Sequence, residues 1–85
     1  MSIYREVDSG GECQGWRFCA DDLTTDVGTW ARTVAERVDR DVIRLYTDSD
    51  PRGWIEAYAG DVILRDGPTS DSLTLAVNPY AWEEV

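Results

Sequence analysis

Seventeen carboxylates and two thiols are the residues of this chain that could do chemistry, and histidine is missing altogether. Acids occur as near neighbours at Asp21 and Asp22, Asp39 and Asp41, Asp48 and Asp50, and Glu83 and Glu84. Such pairs divide acid and base roles only when a cleft drives their pKa values apart. These lie in polar stretches, so they read as solvated surface. Without His, Ser-His-Asp and Cys-His nucleophiles are excluded. Zinc sites built on imidazole are excluded too, and two cysteines cannot complete a four-thiolate site within one chain. The run Asp48-Ser49-Asp50-Pro51-Arg52-Gly53 begins like a calcium loop. It places Arg52 and Ala59 where a ligand and the bidentate acid belong, so it reads as a plain turn. No glycine-rich loop followed by lysine is present to cradle a phosphate. The expectation is therefore a non-enzyme with no catalytic, metal or cofactor residues.

Cys13 and Cys19, if they shared one extended strand, would have Cα atoms about 20 Å apart, far beyond disulfide reach. They read as free thiols of a reducing cytoplasm.

The balance of charge narrows the partners. Acids outnumber bases 17 to 8, giving a net charge of −9. Nucleic acid and anionic membrane both select basic surfaces, so direct binding to either is not expected. A protein partner with a basic surface fits better, and self-association is a further use of the same surface. All eight basic residues are arginine. Arginine codons are GC-rich and lysine codons AT-rich, which points to a GC-rich genome. No charged-then-apolar leader and no long apolar run is seen, so neither a signal peptide nor a membrane span is expected.

With 85 residues, 42% of them apolar, one folded domain is expected. Residues 1–11 end in Ser-Gly-Gly and read as a flexible segment, although Ile3-Tyr4 could add an edge strand. The domain proper spans 12–85. A first strand over 12–19 puts Trp16 and Phe18 on one face. Val27, Trp30, Ala31, Val34 and Val38 recur at helical spacing and predict a helix from Thr25 to Arg37, capped by Thr24 or Thr25. Arg37 and Arg40 would then suit its C-terminal dipole, and Gly28 would permit close packing. Strands follow at Val42–Tyr46, Trp54–Tyr58, Val62–Arg65 and Leu73–Val77. Gly60 reads as a positive-φ corner, with Asp61 accepting backbone N–H bonds beside it. The stretch 66–71 reads as a loose hairpin turn. Asn78 and Pro79 read as the N-cap and first residue of a short helical turn. This order predicts an α+β fold, with one helix on a small antiparallel sheet of four to five strands. Trp30 and Val34 would meet Ile43, Leu45, Ile63, Leu73 and Leu75.

Four pieces together resemble a family of small bacteriophage proteins of unassigned function, found in phages of GC-rich and especially actinobacterial hosts. They are Trp16-Arg17-Phe18 in an early strand, Val27-Gly28-Thr29-Trp30 in the helix, Gly60-Asp61-Val62-Ile63-Leu64-Arg65, and the closing Pro79, Trp82 and Val85. The sequence departs from that pattern at 66–71 and at Trp82, where phenylalanine is usual. The resemblance implies a phage origin, an α+β fold and residence in the infected host cell. It imports no catalytic residue.

The candidate partner-binding residues are Trp54, Tyr58, Tyr80 and Trp82, with Asp39, Asp41, Asp48 and Asp50. An aromatic group rimmed by acids marks a protein interface when the core cannot hold all the rings. The expectation is an accessory protein that binds a host or phage protein. The alternative is a DNA mimic that blocks a nucleic-acid-binding enzyme, which needs the acids to form a phosphate-like stripe.

Overall fold

The computed structural model describes residues 2–66 and 72–85; among them are one α-helix and eight strands. Strands β1 (Ile3–Glu6), β2 (Glu12–Arg17), β6 (Val62–Arg65), β7 (Leu73–Leu75) and β8 (Trp82–Glu84) form an antiparallel sheet in the order β7-β6-β2-β1-β8. Strands β3 (Ala35–Asp39), β4 (Val42–Tyr46) and β5 (Trp54–Tyr58) form a second sheet in chain order. The α+β class is as expected, with the strands divided between two sheets where one of four to five strands was expected.

Two expectations are corrected. The segment expected to be flexible, 1–11, contains β1, which lies between β2 and β8 and pairs with both. Glu6 N–H bonds to Gly11 O, so the Ser-Gly-Gly run is the turn of a hairpin. The helix is also shorter than expected. Helix α1 spans Thr24–Ala31, its N-cap is Leu23 without a side-chain cap bond, and Arg32 leaves it in the left-handed region at φ 61°. A Cβ on Gly28 would lie 2.9 Å from Thr33 O and 3.3 Å from Ala35 Cβ. The missing side chain lets the chain double back against the helix and start β3. Val34 and Val38 leave the expected apolar stripe and are 67% and 46% exposed. The run 34–38 fits a strand as well as a helix, and pairing with β4 brings Ala35 against the core.

The main core lies between the two sheets and α1. It contains Phe18, Val27, Ala31, Ile43, Leu45, Ile55, Ala57, Ile63 and Leu73, with Trp16 and Trp30 packed on it. Arg37 and Arg40 are not at the helix end, because the chain has already turned into β3. Arg65 is there instead. Its guanidinium donates to Trp30 O and Gln14 Oε1 and sits 5.1 Å from the Trp30 ring centre. Burial, with Arg32 nearby, pushes its pKa down. Among the described residues no carboxylate forms an ion pair with it. The negative end of the helix dipole supplies the compensation.

A second cluster, Tyr4, Val62, Leu64 and Ala76, lies on the other side of the five-stranded sheet, with Cys13 and Trp82 packed against it. Gly15 is what lets the Tyr4 ring lie close, since a Cβ there would be 2.6 Å from Tyr4 Cδ1. Gly60 has φ 97° and Asp61 Oδ2 accepts from Tyr58 N–H, as expected of that corner. A 3-10 turn over Pro79–Ala81 is capped by Asn78, whose Oδ1 accepts from Tyr80 N–H. The turn expected over 66–71 lies, apart from Asp66, outside the described residues. No helix among the described residues is long and apolar enough to cross a membrane.

Candidate protein-binding face

The three-stranded sheet presents two different sides, because successive residues of a strand point to opposite faces. Register places Ala35, Leu45 and Ile55 in one row, and Arg37, Ile43 and Ala57 in the next. Leu45, Ile55, Ile43 and Ala57 are core residues, so these rows face inward. The intervening rows face out. They are Tyr46 with Trp54, then Glu36 with Arg44 and Glu56, then Val42 with Tyr58. A charged row is thus flanked by two rows that carry aromatic rings.

Trp54 stands at the start of β5, in one of the flanking rows. The guanidinium carbons of Arg44 and Arg52 lie 4.1 Å and 4.2 Å from its ring centre. Each guanidinium is itself anchored. Arg44 donates to Glu56 Oε2 through Nε at 3.1 Å and Nη2 at 2.7 Å. Arg52 donates to both carboxylate oxygens of Asp50, at 3.0 Å and 3.2 Å. The Glu56 bond holds the Arg44 pKa up, and the Arg52 bond holds Asp50 below the usual carboxylate range. Tyr46 Oη donates to Glu36 Oε1 at 3.0 Å. The indole is therefore fixed before any partner arrives, which limits the entropy lost on binding. Tyr58, at the other end of β5, is 57% exposed.

The other candidates are dispersed. Trp82 is half-buried on β8 and packs against the second cluster. Tyr80 is 89% exposed in the 3-10 turn. Asp39 and Asp41 flank the β3–β4 turn, whereas Asp48 and Asp50 lie in the β4–β5 turn, at the other end of β4. A five-residue strand separates them by about 15 Å. Arg44 lies between the pairs, and Arg52 is bonded to Asp50. Asp21 and Asp22 join the first pair, because Arg37 donates to both Asp22 O and Arg40 O. Sequence reasoning missed Arg44, Arg52, Tyr46, Glu36 and Glu56. The alternation within Val42–Tyr46 and Trp54–Tyr58 was the available signal for three of them.

The group most able to hold a metal, among the described residues, is Cys19, Asp21 and Asp22, whose ligand atoms lie within 4.8 Å of one another. Asp22 Oδ2 is already engaged, accepting from Trp16 Nε1 at 2.9 Å and Cys19 N–H at 2.8 Å. Both cysteines are free thiols. Burial, followed by the charge of Asp66, pushes the Cys13 thiol pKa up, which makes it a poor nucleophile.

No family model matches this chain, and comparisons with curated proteins and with solved structures give no match either.

Proposed function

We propose that this protein acts by binding another protein, and that the outer face of β3–β4–β5 is the binding surface. The observation that carries this reading is Trp54, held between Arg44 and Arg52 on a face that also presents Tyr46 and Tyr58. Tryptophan, tyrosine and arginine are the residues that dominate binding energy at interfaces. The resemblance drawn from the sequence extends the proposal to a phage accessory protein acting in the host cytoplasm on a host or phage protein. The DNA-mimic alternative is weaker. Its acids lie at two ends of the small sheet, with cations on and beside the strand that joins them.

Affinity capture from a nuclease-treated actinobacterial lysate, followed by reconstitution with the purified partner, tests the reading. The expected result is one partner whose affinity falls at least about tenfold with Trp54→Ala or Tyr58→Ala. Binding that ignores both changes and disappears with Asp39→Asn and Asp48→Asn would overturn it in favour of the mimic. Sedimentation of the purified chain checks self-association over the same face.

A further inference from the structure

Arginine side chains lie over four of the aromatic residues. Guanidinium carbons come within 6.0 Å of the ring centres of Tyr4, Phe18, Trp30 and Trp54. Among the described residues Trp82 has no such cation. It helps to line a cavity of about 330 Å3 on the five-stranded sheet, together with Leu64, Leu75 and Ala76 and two carboxylates, Glu6 and Asp8. No basic residue lines that cavity.

The position of each group follows from the fold. Glu6 and Trp82 are directly paired across β1 and β8, so their side chains share a face. The backbone of Trp82 is held by Arg17, whose Nη2 donates to Trp82 O at 2.9 Å. Glu6 Oε1 accepts from Ser9 Oγ at 2.6 Å, which fixes that carboxylate and leaves its second oxygen available. Asp8 is exposed and makes no hydrogen bond or ion pair among the described residues.

An apolar wall, an indole and two carboxylates together are the complement of a cation on an alkyl chain. The wall takes methylene groups, the indole face attracts the positive charge, and the carboxylates accept its N–H donors. We propose that this cavity binds the side chain of a lysine presented by a protein partner. The methylene stem lies along Leu64 and Ala76, which share the Trp82 side of the sheet, and the ammonium sits at Trp82 between Glu6 and Asp8. A net charge of −9 draws a lysine-bearing surface toward the molecule at long range. The site stands apart from the Trp54 face and does not depend on it.

The test uses the full chain and follows the Trp82 indole N–H resonance by NMR. The probes are Nα-acetyl-lysine methylamide, its norleucine and arginine analogues, and spermidine. The lysine probe is expected to shift the Trp82 signal saturably and to bind more tightly than the other three. Glu6→Gln with Asp8→Asn is expected to weaken it by about threefold or more, the size expected of two partly exposed carboxylates. Trp54→Ala is expected to leave it unchanged. Should the double variant disturb the fold, Asp8→Asn alone serves, since Asp8 holds nothing else in place. Equal binding by the norleucine probe, or indifference to the acid changes, would overturn the site. Tighter binding of the arginine probe or of spermidine would overturn the assignment to lysine.

Discussion

The two sheets both place an arginine over an aromatic ring on their outer side, yet one ring is buried and the other is only half-buried. On the five-stranded sheet, Arg17 lies 5.9 Å from the Tyr4 ring centre and donates to Gly60 O, Pro79 O and Trp82 O. Those carbonyls belong to other parts of the chain, so the guanidinium ties the last segment down over the sheet. Tyr4 is 6% exposed as a result. On the three-stranded sheet, Arg44 donates to Glu56 and Arg52 to Asp50. Both acceptors belong to the same sheet or its adjoining turn. The arginines there fix Trp54 in place and bring no other segment over it. The acceptor chosen by the guanidinium separates a surface closed by the chain from one that no other segment covers.

The largest expected effect is on the closed side. Gly15→Val places a Cβ into Tyr4 Cγ and Cδ1, at 3.0 Å and 2.6 Å, with more bulk beyond. The buried ring must move, and overpacking of this kind costs about 2–3 kcal/mol, read as a lower urea midpoint. A midpoint unchanged from wild type would show that the closed side is loosely packed.

Arg17→Ala comes next. It removes three hydrogen bonds from a charged donor to backbone carbonyls, at a cost of about 2 kcal/mol. Amide exchange should quicken in β8 before it does in β4. Arg17→Lys should recover only part of the loss, because an ammonium cannot span carbonyls on two segments as a planar fork does. Uniform quickening in both sheets would remove the distinction between the two sides.

Trp54→Ala should cost less stability, about 1 kcal/mol, because the ring is half-buried and, of its two cation contacts, Arg52 is exposed and Arg44 half-buried. Binding should suffer far more than folding, the reverse of Gly15→Val. An equal loss of both would mean that Trp54 belongs to the core.

The smallest effect concerns pH. Asp50 is held below the usual carboxylate range when folded, chiefly by its bond to Arg52. Its contribution is therefore fully present above the unfolded Asp pKa and is lost as pH falls through the lower folded value. The stability difference between wild type and Asp50→Asn should be steady near neutrality. It should close only below about pH 4, and high salt should shrink it. A difference that persists at low pH would show that the turn, not the ion pair, stabilises this edge.

Local pattern made much of the fold legible. Strands β4, β5 and β6 have the bounds that their short apolar runs indicated, because Gly, Pro and Asp punctuate both ends. Gly60, Asp61, Asn78 and Pro79 act as their turn chemistry required. The helix was overextended because residues 34–38 carry valines at a spacing that suits both a helix and a strand. Nothing local decides between them. Pairing of 35–39 with β4 does, with Gly28 leaving room for Thr33 and Ala35 to turn back against the helix. The segment 1–11 misled for a similar reason. A polar strand beside a glycine pair looks like a linker until its neighbours, β2 and β8, are in place.

The candidate site was legible only in part. Trp54 and Tyr58 could be named from residue type and four-residue spacing, which puts them on one face of a strand. Alternation could have added Arg44, Tyr46 and Glu56, but not Arg52 and Glu36, which reach that face through a turn and cross-strand register. Sequence alone determined the α+β class, the acidic balance and the absence of imidazole chemistry, since these depend on composition and local periodicity. Tertiary structure alone decided how the strands divide between two sheets and which aromatic rings are covered. Those outcomes depend on contacts between residues far apart in the chain, such as Arg17 with Trp82, whose partners no local pattern specifies.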